Sequence, residues 1–221
     1  KIITLHSLDL KINNIQISSN PKNKIKFSLD KEKETLQIES NEFISDNETL
    51  VIDFEGTITD KLKGLYYAKY ENNGDKRLIT TQFEAPYARH CFPCFDEPSK
   101  KATFDFSIKI PSNLKAISNM PVKKEIKEEN KTLITFQTTP KMSTYLLYFL
   151  AGELEFLEDK YNNIDIRIVT TPGKSKNGKF ALDITKKALK FFEEYSSIPY
   201  PLPKLDMIAI PDFEAGAMEN W

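Results

Sequence analysis

From its start to about Thr170, the chain alternates apolar and polar positions in short runs separated by Asn, Asp, Gly and Pro. A period of two residues is typical of half-buried β-strands. The clearest run, Ala102–Ile110, alternates without a break until Pro111 ends it. The other predicted strands are Leu8–Ile12, Ile25–Leu29, Leu36–Ile38, Leu50–Phe54, Leu133–Phe136, Tyr145–Leu150 and Ile164–Ile168. Together they predict a large, mostly antiparallel, two-layer β domain.

The period changes after Thr171-Pro172-Gly173, where apolar residues begin to recur every fourth position. This spacing predicts an amphipathic helix that follows Asn177-Gly178 and ends at Ser196–Pro199. Its predicted apolar stripe consists of Phe180, Ile184, Ala188 and Phe192, with Ala181, Leu189 and Tyr195 beside them.

Three prolines then lead to an apolar run, Leu205–Ile210, which we interpret as a buried strand. A helix followed by a strand is typical of a mixed α/β domain. We therefore divide the chain into an N-terminal β domain, residues 1–171, and the start of a second domain, residues 172–221.

Composition narrows the possible partners. The 221 residues are 40% hydrophobic, enough for a sizeable core. With 31 basic and 32 acidic residues well mixed, the net charge of -1 favours neither nucleic acid nor an anionic membrane surface. No apolar run approaches the roughly 20 residues that span a bilayer. We expect no nucleic-acid or membrane partner.

The chain has two cysteines, Cys91 and Cys94, which cannot build a disulfide framework and favour a reducing, cytoplasmic setting. With His90 they suggest a redox pair or a metal site. A structural zinc site needs four ligands, however, and the only other histidine is His6. We expect two ordinary buried thiols.

The last stretch, Pro211–Trp221, combines small residues with two polar ones. Ala215, Gly216 and Ala217 would let another backbone approach closely, so an extended peptide could add itself there as a strand. Glu219 and Asn220 would then supply specificity, because a carboxylate pairs with a free α-ammonium. A tight surface turn is the alternative interpretation.

A second irregular stretch, Thr81–Pro98, lies between strand runs. Gln82 and Glu84 have the same parity on the strand that ends there, so both would project to one face. They would point into a cleft or form the polar face of an edge strand. Asp96 and Glu97 are interpreted as a structural turn before Pro98 rather than an acid/base pair.

Gly216-Ala217-Met218-Glu219-Asn220 resembles the exopeptidase signature of the zinc aminopeptidase family that includes aminopeptidase N and leukotriene hydrolase, the gluzincins with a GAMEN motif. The stretch from Gln82 to Pro98 resembles a second block of that family, as do Ser118–Pro121 and Met142–Tyr148. His90-Cys91 departs from the Arg-Ala that members often carry.

The resemblance implies a role for each matching residue. Gln82 would line the pocket for the first substrate side chain, and Glu84 with Glu219 would hold the α-amine. Gly216 and Ala217 would bind the peptide backbone, and Met218 would border the first pocket. Asn220 completes the motif.

The family's chemistry needs a zinc held by His-Glu-x-x-His and a further Glu, and this sequence has no such motif. The resemblance therefore implies one zinc ion with ligands beyond Trp221, and no catalytic or metal-binding residue within this chain. It implies a β domain followed by the truncated start of a thermolysin-like catalytic domain, inactive alone. The implied partners are a peptide with a free N-terminus and the C-terminal remainder of the enzyme.

Three other functions stay open at this point. One is an epoxide hydrolase of the same family, and another is a non-catalytic peptide-binding β module. The third is a structural adhesion or interaction protein. Within the family, the sequence looks most similar to microbial cytosolic aminopeptidases, including the archaeal tricorn-interacting factors.

Overall fold

The structure is a computed structural model that describes residues 2–21, 25–40, 48–71 and 76–221. In these ranges the strands are β1 (Ile2–His6), β2 (Lys11–Ile17), β3 (Lys26–Asp30), β4 (Thr35–Glu39), β5 (Leu50–Glu55), β6 (Gly64–Tyr70), β7 (Lys76–Gln82), β8 (Ser107–Pro111), β9 (Lys115–Ser118), β10 (Val122–Glu128), β11 (Lys131–Phe136), β12 (Phe149–Gly152), β13 (Glu155–Tyr161), β14 (Ile164–Thr170) and β15 (Lys204–Ile208). The α-helix is α1 (Lys179–Ser196), and short 3-10 helices lie at Ala88–His90, Thr144–Leu146 and Ser175–Gly178. The prediction of a mostly β chain is confirmed.

The chain forms two compact units. The first unit comprises Lys1–Tyr66, Thr81–Ala102 and Met142–Leu146, and the second comprises Tyr67–Thr80, Thr103–Lys141 and Leu147–Trp221. No helix in the described part of the chain is long and apolar enough to cross a membrane.

The first unit is built from two antiparallel sheets, β1-β4-β3 and β2-β5. Alternation along β4 buries Leu36 and Ile38 completely. The predicted face of β3 is not buried, however, because β3 lies at a sheet edge and leaves Phe27 and Leu29 37% and 47% exposed. The buried core residues of this unit are Leu5, Leu10, Ile12, Ile15, Ile17, Leu36 and Ile38.

The second unit contains the antiparallel sheet β10-β11-β8. Another sheet has the order β6-β7-β12-β9, and its strands β6 and β7 carry the chain between the two units. Ile110, Ile134, Phe136 and Ala151 form one core cluster of the second unit. Phe106 joins this cluster and stacks on Phe149, with ring centroids 4.6 Å apart.

The third sheet of the second unit, β13-β14-β15, is mixed. β13 and β14 form an antiparallel hairpin, while β15 runs parallel to β14 after the crossover through α1. The chain packs tightly where the helix begins, since a Cβ at Gly178 would lie 2.7 Å from Cγ2 of Ile168. The helix ends at Ser196 and is capped by Ser197, which has a left-handed backbone with φ of 56°. The predicted α/β arrangement at the end of the chain is confirmed.

Three predicted strands have clearly different bounds in the structure. For the run Leu8–Ile12, the strand β2 begins only at Lys11 and continues to Ile17. The clearest run forms a strand only from Ser107, because Phe104 N–H donates to the side-chain hydroxyl of Thr139 at 2.9 Å instead of continuing a regular backbone ladder. In the run Tyr145–Leu150, the first residues belong to a 3-10 helix and the strand begins at Phe149. Burial alternates along the clearest run from Phe104 to Ile110, whereas residues 146–150 of the run Tyr145–Leu150 are buried one after another.

The packed face of α1 differs from the predicted one. Leu182 and Leu189 pack against Ile164, Ile166 and Ile168 of β14. Most of the predicted stripe is solvent-exposed instead: Phe180 is 78% exposed, Ile184 44%, Phe192 62% and Tyr195 80%. The helix carries apolar residues on two faces, and only the face with Leu182 and Leu189 meets the sheet.

The run Leu205–Ile210 is also less buried than predicted. Its strand β15 pairs with β14 on one side and lies at the edge of the described sheet. Met207 is 40% exposed, and Leu205 and Ile208 are half-buried. An edge position leaves one side of the strand open to solvent.

Candidate functional site

The stretch that follows β7 is a compact loop in the first unit. Phe83 is 1% exposed and packs edge-to-face on Phe92, with ring centroids 5.9 Å apart. The N–H of Tyr87 donates to the carbonyl of Phe83 at 3.3 Å, and the 3-10 helix Ala88–His90 follows. The loop therefore folds back on its own aromatic residues.

Gln82 and Glu84 lie on either side of this buried phenylalanine. Strand β7 ends at Gln82, so Glu84 is in the turn and the pleat of the strand does not set its direction. Gln82 is half-buried, and its Oε1 atom is buried without a hydrogen-bond partner among the described residues. Glu84 is exposed. The chain thus has an exposed carboxylate at Glu84, two positions after an amide oxygen that is unsatisfied among the described residues.

A buried ion pair fixes the far side of the loop. Both the backbone N–H and the Nε of Arg89 donate to Oδ2 of Asp96, at 3.2 and 3.0 Å. Arg89 also donates through Nη1 to Glu34, at 2.6 Å. The side chains of Arg89 and Asp96 are 10% and 1% exposed. Removing one partner of such a pair costs about 3–5 kcal/mol, because the other charge stays buried. Asp96 therefore has a structural role, in line with its interpretation as part of a turn.

The two thiols next to this ion pair are not bonded to each other. Burial raises the pKa of Cys91 to about 12. Burial, with the nearby charge of Asp96, also raises the pKa of Cys94. Because the thiolate is the nucleophile and the metal ligand, both side chains are held in their unreactive form.

The described residues do not fit a zinc ion. Among them, no three His, Cys, Asp or Glu side chains converge as a ligand set. Nδ1 of His6 accepts a hydrogen bond from the backbone N–H of Asp96 at 3.2 Å, so that nitrogen is already engaged. His90 has Asp9 4.0 Å from its Nδ1. A histidine with one ring nitrogen engaged and a second histidine with a single nearby carboxylate do not make a tetrahedral site.

The predicted exopeptidase motif lies in the second unit, in an irregular segment after β15. The N–H of Ala209 donates to the carbonyl of Val169 at 2.9 Å, and residues 209–221 form neither helix nor strand. Gly216, Ala217 and Glu219 are exposed, whereas Met218 and Asn220 are half-buried. A Cβ at Gly216 would meet no described heavy atom within 4 Å. The motif has space beside its backbone, but it is not an edge strand.

A buried charged cluster lies at the start of β15, before this segment, and the sequence pattern did not predict it. Arg167 donates to Asp206 through Nε and Nη2, each at 2.6 Å, and Lys204 donates to Asp206 at 2.6 Å. Burial lowers the pKa of Lys204, which is 8% exposed. Burial alone would raise the pKa of Asp206, but hydrogen bonds from Arg167 and Lys204 lower it overall. The one local signal in the sequence is a charged residue at every second position at the start of β15.

The predicted site residues thus fall into two sets. Gln82 ends β7 and Glu84 lies in the loop that follows, both in the first unit, whereas Gly216–Asn220 belong to the irregular segment of the second unit. That the two sets meet around the start of a peptide remains a prediction.

Comparisons with known proteins identify the family. Residues 1–146 match the Peptidase M1 N-terminal domain, and residues 180–221 match the Peptidase family M1 domain. The chain is similar to Aminopeptidase M1 of Arabidopsis thaliana, with 42% identity over 230 aligned residues that include 100% of this chain and 26% of that protein.

Two further relatives come from an archaeon and an animal. Probable aminopeptidase 2 of Sulfurisphaera tokodaii is 47% identical over 173 residues, which are 78% of this chain and 22% of that protein. Puromycin-sensitive aminopeptidase of Caenorhabditis elegans is 46% identical over 173 residues, 76% of this chain and 18% of that protein. The chain spans about a fifth to a quarter of the length of these curated relatives. Since the N-terminal match alone covers well over half of its residues, the chain belongs to peptidase family M1.

Proposed function

We propose that this chain is the N-terminal portion of a metalloaminopeptidase that removes single residues from peptide N-termini, and that its own task is to recognise the substrate. Its relatives carry the name aminopeptidase. In this proposal Glu84 and Glu219 hold the α-ammonium and Gln82 lines the pocket for the first side chain. Gly216 and Ala217 bind the peptide backbone, Met218 borders the pocket for the first side chain, and Asn220 adds to the specificity that Glu219 supplies.

The observation that carries the proposal is the buried Oε1 of Gln82, which has no hydrogen-bond partner among the described residues and lies two positions before the exposed Glu84. A buried acceptor without a partner costs about 1–3 kcal/mol, and a donor on a ligand would remove that cost. An ammonium group has three N–H donors and needs several acceptors around it. In this proposal Glu84 and Glu219 supply two carboxylate acceptors for the ammonium, whereas an acetylated N-terminus carries no such charge.

The open space beside Gly216 supports the second half of the proposal. A peptide backbone can approach a glycine more closely than any other residue, and main-chain hydrogen bonds to it do not depend on the peptide's sequence. An enzyme that trims many different peptides needs contacts to the peptide backbone that do not depend on sequence. The charged free amine is then the group that every substrate has in common.

The proposal assigns these 221 residues to substrate recognition only. The zinc implied by the family would be held elsewhere in the complete protein, because the described residues do not fit it. Two unpaired thiols support a cytoplasmic location.

The division between residues 171 and 172 also stays a prediction. The catalytic-domain match that begins at residue 180 supports it, while the sheet of that region takes β13 and β14 from before the division.

The test uses Glu219→Gln and Glu84→Gln in the full-length protein, assayed with a panel of amino-acid anilides. Each variant should lower kcat/KM by roughly 10- to 100-fold, because a charged hydrogen bond contributes about 1.5–3 kcal/mol. Zinc content should not change. Glu214→Gln is the matched control, since Glu214 is an exposed carboxylate of the same segment outside the motif.

Two outcomes would contradict the proposal. If Glu219→Gln loses zinc and activity in equal measure, the residue is structural. If the unmodified protein shows equal affinity for a peptide with a free N-terminus and for its acetylated form, amine recognition is wrong.

A further inference from the structure

The motif segment leaves the sheet at Ala209 and reaches its far end at Trp221. Its near end is tied by the Ala209 N–H to the carbonyl of Val169, at 2.9 Å. Its far end is tied by a side chain about a hundred positions earlier, Asn119, whose Nδ2 donates to the carbonyl oxygen of Trp221 at 2.5 Å. The five motif residues lie between these two ties.

Asn119 is well placed to act as a fixed point. It is 4% exposed, and both ends of its carboxamide are engaged. While Nδ2 donates to Trp221, Oδ1 accepts the backbone N–H of Tyr148 at 2.8 Å. If the amide rotated by 180°, its oxygen would face the carbonyl oxygen of Trp221 and its NH₂ group would face the N–H of Tyr148, so both hydrogen bonds would be lost. Its orientation is therefore determined by both partners at once.

The residue before it, Ser118, has its backbone paired in the sheet. Ser118 ends β9, pairs with Phe149 of β12, and donates from Oγ to the carbonyl of Tyr148 at 2.7 Å. The carbonyl of Ser118 accepts Nζ of Lys204 at 2.9 Å. Lys204 belongs to the buried cluster with Asp206 at the start of β15. Ser118 therefore contacts the strand that precedes the motif segment, and Asn119 contacts the last residue of that segment, Trp221.

We propose that Asn119 is a positioning residue, which holds the segment Gly216–Asn220 in the conformation that receives a peptide. The inference rests on the proposed function of that segment. Holding a binding segment in place before the ligand arrives lowers the entropy cost of association. A displacement of about 1 Å at a reacting centre can cost on the order of a hundredfold in rate, so the tie would affect catalysis without touching the substrate.

The first test needs no activity and uses amide hydrogen exchange on the chain itself. Asn119→Asp keeps an oxygen that accepts the Tyr148 N–H but loses the N–H that donates to Trp221. We expect exchange at residues 216–221 to rise by roughly 5- to 10-fold, the equivalent of one lost hydrogen bond, while exchange in β12 stays the same.

Asn119→Ala, which removes both bonds, should raise exchange in both places. Ser118→Ala is the matched control, because it removes a neighbouring buried bond to Tyr148 but leaves the tie to Trp221. Unchanged exchange at residues 216–221 in Asn119→Asp would overturn the proposal, as would an equal rise there in Ser118→Ala.

The second test measures kcat and KM of the full-length protein with amino-acid anilides. Asn119→Asp should lower kcat/KM by roughly 10- to 100-fold at unchanged zinc content, and Ser118→Ala should stay within about threefold of the unmodified protein. Unchanged kcat/KM in Asn119→Asp would overturn the positioning role. Absence of any aminopeptidase activity in the unmodified protein would instead refute the proposed function. The hydrogen-exchange experiment does not depend on activity, so it would still show whether Asn119 holds the motif segment.

Discussion

The helix α1 has apolar residues on two faces, and the structure specifies which one packs. Leu189 is 7% exposed and lies in the cluster formed with Leu182 and the three isoleucines of β14. Leu189→Ala should therefore remove well-packed side-chain volume. Such substitutions cost about 2–5 kcal/mol, which corresponds to a melting temperature lower by roughly 4–20 °C for a chain of this size.

The matched control is Phe192→Ala, three positions further along the helix at a solvent-exposed position. Phe192 belongs to the stripe that periodicity alone predicts as buried, yet it is 62% exposed. Its replacement should change the free energy of unfolding by no more than about 0.5 kcal/mol, as for other surface positions. Alanine is a good helix former, so neither substitution disturbs the helix itself.

The assay is urea denaturation of the two variants and the unmodified chain, followed by far-UV circular dichroism. Hydrogen exchange of the α1 amides would report the same difference locally. A loss of stability in Phe192→Ala as large as that in Leu189→Ala would refute the reasoning, because the stripe seen in the sequence would then be the packed one. A negligible effect of Leu189→Ala would refute the described core of this sheet.

Two more predictions concern ionisable groups. Burial raises the pKa of Cys91 to about 12. Iodoacetamide at about pH 8 should therefore leave the thiols of the native chain largely unmodified but alkylate them within minutes in urea. Rapid alkylation of the native chain would contradict their burial. The pKa of Asp206 is lowered in the folded chain, so its contribution to stability is present above its unfolded value of about 4 and is lost as the pH falls through the lower folded value. Asp206→Asn should accordingly reduce the free energy of unfolding at about pH 7 and flatten the decline of that free energy between about pH 5 and 2, measured by urea denaturation. The control is Asp183→Asn, since Asp183 forms an exposed pair with Lys179. This variant should keep the pH dependence of the unmodified chain.

Much of the fold could be predicted because strands and helices leave local signals. Leu36 and Ile38 alternate with polar residues and are fully buried on β4. The change to a period near four after Gly173 located α1 closely. The motif at residues 216–220 and the block that begins at Gln82 indicate the family through local sequence alone, and the comparisons confirm that family.

The candidate site was only partly predictable. Parity on a strand placed Gln82 and Glu84 on one face, but β7 ends at Gln82 and the pleat does not extend to Glu84. Nothing in the local sequence indicates that Oε1 of Gln82 is buried without a partner among the described residues, or that Asn119 contacts Trp221. Both facts depend on residues distant in sequence.

The sequence by itself determined which segments alternate, where the helix begins and ends, and which family the chain resembles, because each depends on neighbours within a few positions. Only the tertiary structure decided that Leu189 rather than Phe192 packs against the sheet, that the strand before Pro111 begins at Ser107, and that Asn119 holds the end of the motif segment. A periodic pattern shows that a face is apolar, but burial also requires a partner surface. Which surface is available follows from the path of the whole chain.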